Sequence, residues 1–584
     1  MTYQAPIQDY NFILNHVLSL NCVGQKGDPL DIDLDIVNDI FVQADKFCQN
    51  ILLPIYHTGE KTGCQFSNNT VTMPDGWQEA YGQFVANGYN AISSDIKYGG
   101  MNLPKSVSTA LFEMISSSNL SFGLCPLLTQ GAIHALEKWG SDSQKNLYLP
   151  KLVSGKWTAT MNLTEPQAGS DVGKITAKAV KSDADTYKIT GTKIYITFGD
   201  HDLSENIIHL VLARLPNAPE GTKGISLFLV PKFMVNDDGT LGEQNDIMTT
   251  SIEHKLGIHA SPTCTLTFGE QGGAIGYLIG QENQGLKAMF TMMNDARLSV
   301  AAQGVGVAEI AYQKALAYAK ERMQGKDLTT KQDVALIQHP DIQRSLTDIR
   351  SLNYINRLLV LQTAHYLDKA DAGCETSQQY ANFLIPIAKS WATDLSITQT
   401  SNALQVFGGA GFIEETQIAC HYRDARILSI YEGTSGIQAI DLVTRKLCHD
   451  DLRLFRKICS DITDLATNCL EHGDERLAII GDHLDLAVDD LLQAGEWMYQ
   501  KWGLLDQGSE ALAGATPFLK LAAIVISGYY ATKAAFAIVD QELDVSDAYI
   551  DYTIFFAENY LSNVNGISLA CTRGLEGIRA HHWL

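Results

Sequence analysis

Between about Thr158 and Gln284 the chain consists of short β-branched and aromatic runs, and on both sides apolar residues recur at helical spacing. Thr186-Tyr187-Lys188-Ile189-Thr190, then Gly191, then Thr192-Lys193-Ile194-Tyr195-Ile196-Thr197 alternate with a period of two, as half-buried strands do. Ile207 to Leu212, Ile225 to Val230 and Cys264 to Phe268 are apolar runs of strand length. No helical stretch of crossover length separates them, so the spacing predicts antiparallel strands without parallel βαβ units. A sheet region between helical regions, in a chain of 584 residues, exceeds one core, and several domains are expected.

Residues 1–157 read as helical: Ile36, Ile40, Phe41, Ala44 and Phe47 keep three- and four-residue steps. Breaks are expected at Gly99-Gly100 and around Pro126, with a helical run from Leu127 to Trp139. After the β region (158–284), helices are expected through 285–451, with a stripe at Val300, Val305, Ala308, Tyr312, Ala315 and Ala319 and further helices over 335–370 and 380–405. A last helical segment, 452–584, opens with Leu454, Ile458, Ile462, Leu465 and Cys469. Its most apolar run, Leu521 to Thr532, is short, ends at Lys533, and reads as a buried helix with no membrane span.

The totals narrow the function. Acidic residues outnumber basic ones 66 to 43, and no Lys/Arg block offsets this, which argues against nucleic acid as a partner. The 11 cysteines are scattered, with no Cys-x-x-Cys pair, which fits free thiols in a reducing compartment and neither a zinc site nor a disulfide framework. Met1-Thr2-Tyr3-Gln4-Ala5-Pro6 has no basic or apolar leader character, and a cytoplasmic location is expected.

Several common catalytic signatures are missing. Gly304-Val305-Gly306 lacks a third glycine and a preceding strand, so it is no dinucleotide fingerprint. There is no P-loop, no His-Glu-x-x-His pair and no Gly-x-Ser-x-Gly elbow. Four stretches remain. In Tyr431-Glu432-Gly433-Thr434-Ser435, Glu432 lies on a short loop before a helix. Ser435 and Gln438 fit a capping box there, Gly433 permits a sharp turn, and Ile437, Ile440, Val443 and Leu447 keep helical spacing. Met161-Asn162-Leu163-Thr164-Glu165-Pro166-Gln167-Ala168-Gly169-Ser170 is a loop of small and hydroxyl residues able to approach a flat heterocycle or phosphate. Asn294-Asp295-Ala296-Arg297 sits at the expected start of a long helix, and Gln405-Val406-Phe407-Gly408-Gly409 offers close backbone approach. Each alone is equally an ordinary turn, cap or helix contact.

Taken in order and at these separations, the four stretches resemble the acyl-CoA dehydrogenase family, from about Tyr98 to about residue 447. The chain is most similar to a long bacterial branch that includes 3-(methylthio)propanoyl-CoA and fatty acyl-CoA dehydrogenases. The resemblance implies an α+β fold: an N-terminal helical domain, a central antiparallel β domain, a C-terminal four-helix domain, and an additional C-terminal helical domain. It implies FAD as cofactor, an acyl-CoA substrate, an electron-transfer flavoprotein as acceptor, and a homodimer or tetramer.

Carried over by position, Glu432 is the catalytic base. Met161, Leu163, Thr164, Gly169 and Ser170 line the flavin, and Ser170 also reaches substrate. Tyr195 and Thr197 lie along the flavin ring, Tyr195 standing where many members have Trp. Arg322 reaches the FAD of a neighbouring subunit, and His339 falls near another contact, although Pro340 follows where many members have Gln. Gln405, Gly408 and Gly409 meet the adenosine, and Thr434 and Ser435 the pyrophosphate. Asn294, Arg297 and Gly433 face substrate. Some members carry the base near the Arg297 segment, but here that position is Ala296, which cannot accept a proton.

The implied reaction removes an α proton and a β hydride from the thioester, giving the trans-2-enoyl-CoA. Two other outcomes stay open: an acyl-CoA oxidase that uses oxygen, and a non-catalytic acyl-CoA- or flavin-binding assembly factor.

Overall fold

The computed structural model of this chain describes residues 3–20, 32–183, 185–505 and 507–583. The first two residues of the Met1–Pro6 stretch, and residues 21–31 of the N-terminal helical segment, lie outside them. The helices before the sheet region are α1 (Ile7–Phe12), α2 (Leu34–Phe47), α3 (Leu53–Thr62), α4 (Trp77–Ala86), α5 (Lys105–Ser118), α6 (Leu120–Trp139) and α7 (Asp142–Val153). Those after it are α8 (Gly285–Glu321), α9 (Pro340–Asp371), α10 (Glu375–Val406), α11 (Ile418–Leu428) and α12 (Ser435–Asp441). The final segment adds α13 (Arg453–Glu471), α14 (Glu475–Tyr499), α15 (Gly508–Asp540), α16 (Ala548–Asn559) and α17 (Val564–Thr572). The chain forms two compact units: a helical unit (Met1–Asp45, Pro104–Ser117 and Val300–Leu584) and a sheet unit (Lys46–Leu103 and Ser118–Ser299).

The strands of the sheet unit are β1 (Gln65–Ser67), β2 (Thr70–Thr72), β3 (Trp157–Asn162), β4 (Lys178–Lys181), β5 (Tyr187–Thr197), β6 (Asn206–Arg214) and β7 (Ile225–Pro231), followed by β8 (Phe233–Val235), β9 (Leu241–Gln244), β10 (Ile247–Ile252), β11 (Thr263–Phe268) and β12 (Ala274–Ile279). The main sheet runs β10-β11-β5-β12-β7-β6-β3, with β4 beside β5 and β6. It is antiparallel except at the edge where β3 runs parallel to β6, from Trp157↔Asn206 to Asn162↔Val211, and at the single parallel pair Lys178↔Arg214 between β4 and β6. That edge corrects the expectation of a purely antiparallel sheet. The excursion between the two parallel strands is made by β4 and β5 rather than by a helix, so the absence of a crossover helix did not exclude it.

The N-terminal region also holds more than helix. Asn68 and Asn69 both adopt positive φ and close the β1–β2 hairpin, as a two-residue turn between twisted strands requires. Val71 from this hairpin joins Ile189, Val211, Phe228 and Leu266 in the sheet core. Pro126 does not break a helix: it lies inside α6, whose residues from Leu120 to Ile133 are all buried. Burial on every side outweighs one missing backbone hydrogen bond there.

In the helical unit, α9 packs on α10, and α8 approaches α10 and α5 through glycines. A Cβ on Gly304 would lie 2.7 Å from the Ala392 carbonyl, and one on Gly306 2.7 Å from the Glu113 carbonyl. These glycines serve helix packing. Buried charges are paired: Arg357 meets Asp9, Glu113 and Glu309, and Arg350 meets Asp9, at 2.6–2.8 Å. Helix α13 buries Phe455, Ile458, Ile462, Ala466 and Cys469 against α14, in line with the expected stripe.

Helix α15 is the one described helix long and apolar enough to cross a membrane, and most of its apolar run is buried. It packs on α9, α10 and α12. A further hairpin, β13 (Met323–Lys326) with β14 (Asp333–Ala335), interrupts the helices after α8.

Candidate active site

The loop from Ile430 to Thr434 joins α11 to α12 and carries Glu432, half-buried. Ile430 and Tyr431 each donate their N–H to the Ile427 carbonyl, closing α11, and Ser435 N donates to Ser429 O at 3.2 Å. Glu432 and Gly433 then take φ of 54° and 86°. For glycine that conformation carries no steric cost; for a glutamate it is strained and needs support from its surroundings.

The cap of α12 is Thr434, whose hydroxyl accepts the Ile437 N–H at 3.2 Å, so the capping box expected from Ser435 and Gln438 does not form. Ser435 instead donates to Asp394 Oδ1 at 2.8 Å, and burial pushes the Asp394 carboxyl up. Gln438 is fully buried and donates to the carbonyls of Glu432 (3.1 Å) and Gly433 (3.3 Å). Ile440, expected on the apolar stripe, is 40% exposed, because the buried face falls on Gln438, Ala439, Leu442 and Val443.

Three side chains hold this loop, and two of them, Lys389 and Gln303, have no sign in the local sequence. Lys389 of α10, fully buried, donates to the Gly433 carbonyl at 2.8 Å. Gln303 of α8 accepts the Tyr431 hydroxyl, and Gln438 takes the two carbonyls between. Burial, and then the neighbouring Glu432 charge, raise the Tyr431 phenol far above its ordinary range, so it stays a neutral donor.

In the sheet unit, the Met161–Ser170 loop and the strand bearing Tyr195 and Thr197 are brought together. Ile194 N donates to Thr164 O at 3.0 Å. On β5, Ile194 and Tyr195 oppose the single residue Thr265, a β-bulge. The bulge turns Tyr195 to φ 60° and leaves its ring 60% exposed, a costly placement for a large aromatic unless it meets a ligand.

The loop itself is tightened by reciprocal Glu165–Ala168 backbone bonds across Pro166-Gln167. Buried Lys193 donates to Leu163 O (3.0 Å) and Glu165 Oε1 (2.8 Å). Burial pulls the Lys193 ammonium down to about 8 against the pull of Glu165. Burial would raise the Glu165 carboxyl, but Lys193 and the Thr176 and Ala177 N–H groups outweigh it and hold it low. Gly169 and Ser170 are exposed beside a cleft of about 450 Å³ lined by Asp171, Gly173, Lys174, Arg214 and Gly221.

Asn294 and Arg297 do not start a helix. They lie inside α8, which begins at Gly285, because the apolar period continues upstream through Ala288, Met289 and Met292. Arg297 is buried, Ala296 is 2% exposed, and Asp295 meets His134 Nδ1 of α6 at 2.7 Å.

The remaining expected residues form a separate group in the helical unit. The β13–β14 hairpin sets Arg322 near His339: the Leu336 N–H donates to the Arg322 carbonyl at 2.8 Å, and His339 Nε2 lies 2.8 Å from Gln324 O. Gln405, Gly408 and Gly409, all exposed, close the same cluster, where Tyr318 stacks on Phe407 at 4.2 Å. Gly408 has φ 59°, as the turn after α10 needs. Along α10, Gln405 lies ~24 Å from Lys389, which holds the Glu432 loop, and ~17 Å from Asp394, which meets Ser435 at the start of α12, at about 1.5 Å per residue. The helical unit therefore carries two candidate patches.

Comparison with known proteins gives matches along most of the chain. Residues 39–156, 160–270 and 283–447 match the N-terminal, middle and C-terminal domains of acyl-CoA dehydrogenase, and residues 455–579 match an acetyl-CoA dehydrogenase C-terminal-like domain. The 3-methylmercaptopropionyl-CoA dehydrogenase of Ruegeria pomeroyi is 43% identical over 92% of this chain and 91% of that protein. Among solved structures, Caenorhabditis elegans ACDH-11 in complex with C11-CoA superposes with a TM-score of 0.82 at 19% identity, covering 100% of this chain and 95% of that one. A Bacillus anthracis acyl-CoA dehydrogenase complexed with FAD gives 0.76 at 20% identity, over 98% and 94% of the two chains.

Proposed function

This chain belongs to the acyl-CoA dehydrogenase family, whose members are FAD enzymes, and on that premise we propose that it oxidises an acyl-CoA to the trans-2-enoyl-CoA with Glu432 as the base. The observation that carries this reading is a strained, half-buried glutamate on a loop that three buried side chains hold, at the Gly433 and Glu432 carbonyls and the Tyr431 hydroxyl. FAD, when bound, supplies the acceptor for the hydride that leaves the β carbon. Tyr195, Thr197, Met161, Leu163, Thr164, Gly169 and Ser170 would hold its ring side, and Thr434 and Ser435 its pyrophosphate. The exposed Tyr195 ring and the bulge that aims it fit a flat partner.

The work of the chain is alignment and proton transfer. Glu432 takes the α proton, a carbon acid too weak for a solvated carboxylate, so water must be kept from the loop. The Glu432 N–H is the proposed donor to the thioester oxygen, where negative charge grows. Gly433, Asn294 and Arg297 are the proposed substrate-side neighbours, and the cleft beside Ser170 would receive the nucleotide end of CoA, with Lys174 as its cation.

The substrate class we favour is a short acyl chain, with 3-(methylthio)propanoyl-CoA the first candidate from the 43% identical relative. Electrons would pass to an electron-transfer flavoprotein. The ~17–24 Å along α10 between the two patches of the helical unit, at the rise of an α-helix, supports Arg322, His339, Gln405, Gly408 and Gly409 serving the FAD of a second copy. Leu328 and Phe412 nearby are 85% and 87% exposed, as an oligomer interface would explain. The domains we propose are 1–157, 158–284, 285–451 and 452–584, which the four matched segments support.

The test is flavin bleaching under anaerobic conditions with a panel of acyl-CoAs, including 3-(methylthio)propanoyl-CoA. Glu432→Gln should keep its flavin and lose reduction by roughly 10³-fold or more, within the range of a general base. Turnover near wild type would remove Glu432 from the role. Rapid peroxide formation on mixing with air would favour an oxidase instead, and a flavin that no acyl-CoA bleaches would favour a binding role.

A further inference from the structure

The reading of Glu432 as base leaves one feature without a function: a lysine ammonium, fully buried, directed at a backbone carbonyl one residue past the base. Filling that space would be achieved at lower cost by an apolar side chain, since an ammonium taken out of water loses its hydration before any compensation. Its compensation includes the Gly433 carbonyl at 2.8 Å, an oxygen that also accepts from Gln438 at 3.3 Å. Gln438 in turn holds the preceding carbonyl, that of Glu432, at 3.1 Å. Two consecutive peptide oxygens are thus held by two buried donors, across the pair of residues whose φ values are 54° and 86°.

Left-handed backbone at a residue with a Cβ brings that Cβ close to the neighbouring carbonyl oxygen and persists only where its surroundings impose it. The direction in which the Glu432 side chain leaves the loop follows from that φ. If the peptide plane between Glu432 and Gly433 relaxed, the carboxylate would swing with it.

Resting on the dehydrogenase reading, we propose that Lys389 is a positioning residue: by holding the Gly433 carbonyl together with Gln438 it keeps Glu432 in the left-handed conformation that aims its carboxylate at the α carbon. It touches neither substrate nor flavin in this assignment. Its contribution is therefore to the rate of proton removal, and not to cofactor retention or substrate affinity. A displacement of about 1 Å at the reacting atoms is enough to cost ~10²-fold in rate.

The experiment uses flavin-loaded full-length enzyme and follows anaerobic flavin reduction by 3-(methylthio)propanoyl-CoA and by butyryl-CoA. Lys389→Met should lower the saturating reduction rate ~10²-fold while flavin content and half-saturating substrate stay within about threefold, a loss confined to the transition state. Lys389→Gln keeps an N–H donor and should recover about tenfold of that loss, whereas a space-filling role would leave the two variants alike. Gln438→Leu should slow reduction in the same direction, and the double variant should lose less than the product of the two, because both donors serve one oxygen.

A Lys389→Met enzyme reducing its flavin within about threefold of wild type overturns the proposal. So does a loss that Lys389→Gln does not recover. If Lys389→Met does not hold flavin, Gln438→Leu decides: an unchanged rate there overturns the proposal and a slowed one supports it. Failure of wild type to bleach with either thioester is a different result; it removes the dehydrogenase reading and the proposal with it.

Discussion

Lys193 and Lys389 are both fully buried, and each donates to a backbone carbonyl of a loop proposed to meet ligand: Leu163 O at 3.0 Å in the sheet unit, Gly433 O at 2.8 Å in the helical unit. They differ in what shares the load. Lys193 also meets the Glu165 carboxylate at 2.8 Å, and that carboxylate ties down Thr176, Ala177 and Gln167. Lys389 shares its carbonyl with a neutral amide, Gln438, and its charge also acts on the Asp394 carboxylate, which burial nonetheless pushes up. One loop is held by a charge pair inside a sheet, where a small error of position is tolerable for a bound ring. The other is held at the peptide next to a strained residue, the proposed base, whose side-chain direction depends on that peptide. The comparison teaches that similar anchors can serve stability in one place and geometry in another.

The largest test of that contrast is Lys193→Met. It leaves Glu165 buried without its cation and should cost about 3–5 kcal/mol, read as an earlier urea midpoint and loss of flavin. Lys389→Met should cost clearly less in the same urea titration while slowing flavin reduction more. Adding Glu165→Gln to Lys193→Met should restore most of the midpoint. If the two methionine variants lose stability equally, the contrast is wrong.

Acid should act on both units alike. Burial, then the Lys232 charge, push His201 down to about 3, and His209 likewise, in the sheet unit. In the helical unit burial pushes His365 to about 3 and His421 well below its ordinary value. Between the unfolded value near 6.5 and the folded one, the unfolded chain binds protons that the folded chain refuses, so stability is lost as pH falls through that window. At pH 5 each such histidine should cost about 2 kcal/mol. Urea midpoints at pH 7 and pH 5, with hydrogen exchange resolved by segment, check this. Exchange that rises in one unit alone would set the two apart in a way the buried histidines do not explain.

The smallest effect is expected at the cap. Thr434→Ala removes the acceptor of the Ile437 N–H and should cost about 1 kcal/mol, seen as faster exchange over residues 435–441. Because Thr434 is also a proposed pyrophosphate contact, flavin content is measured on the same variant, and exchange over residues 435–441 that stays at the wild-type rate would show that the cap contributes nothing to α12.

The type and order of elements were legible because periodicity survives any tertiary arrangement. The stripe through Ile458 and Ile462 is buried, and the two-residue alternation of Tyr187–Thr197 is one continuous strand. The approximate seat of Glu432, between a helix end and a helix start, was legible from Gly433 and the apolar period after it. Local rules failed where burial or long-range pairing competed with them. Pro126 stays inside α6 because that helix is enclosed. The cap moved from Ser435 to Thr434 because Asp394, 41 positions away in sequence, takes the serine hydroxyl. The parallel β3–β6 edge depends on a path through two other strands.

The sequence by itself determined which segments become helix and strand, that a lone glutamate precedes a helix beside a glycine, and which family the motifs resemble, since each of these rests on residues within a few positions of one another. Only the tertiary structure decided that Tyr195 sits on a bulge, that Arg322 and His339 share a patch distant from Glu432, and that Lys389, Gln303 and Gln438 hold the Glu432 loop. Their partners are largely backbone oxygens and hydroxyls, which carry no residue-specific signature, and most lie tens of residues away; proximity of that kind comes into being when helices and strands pack.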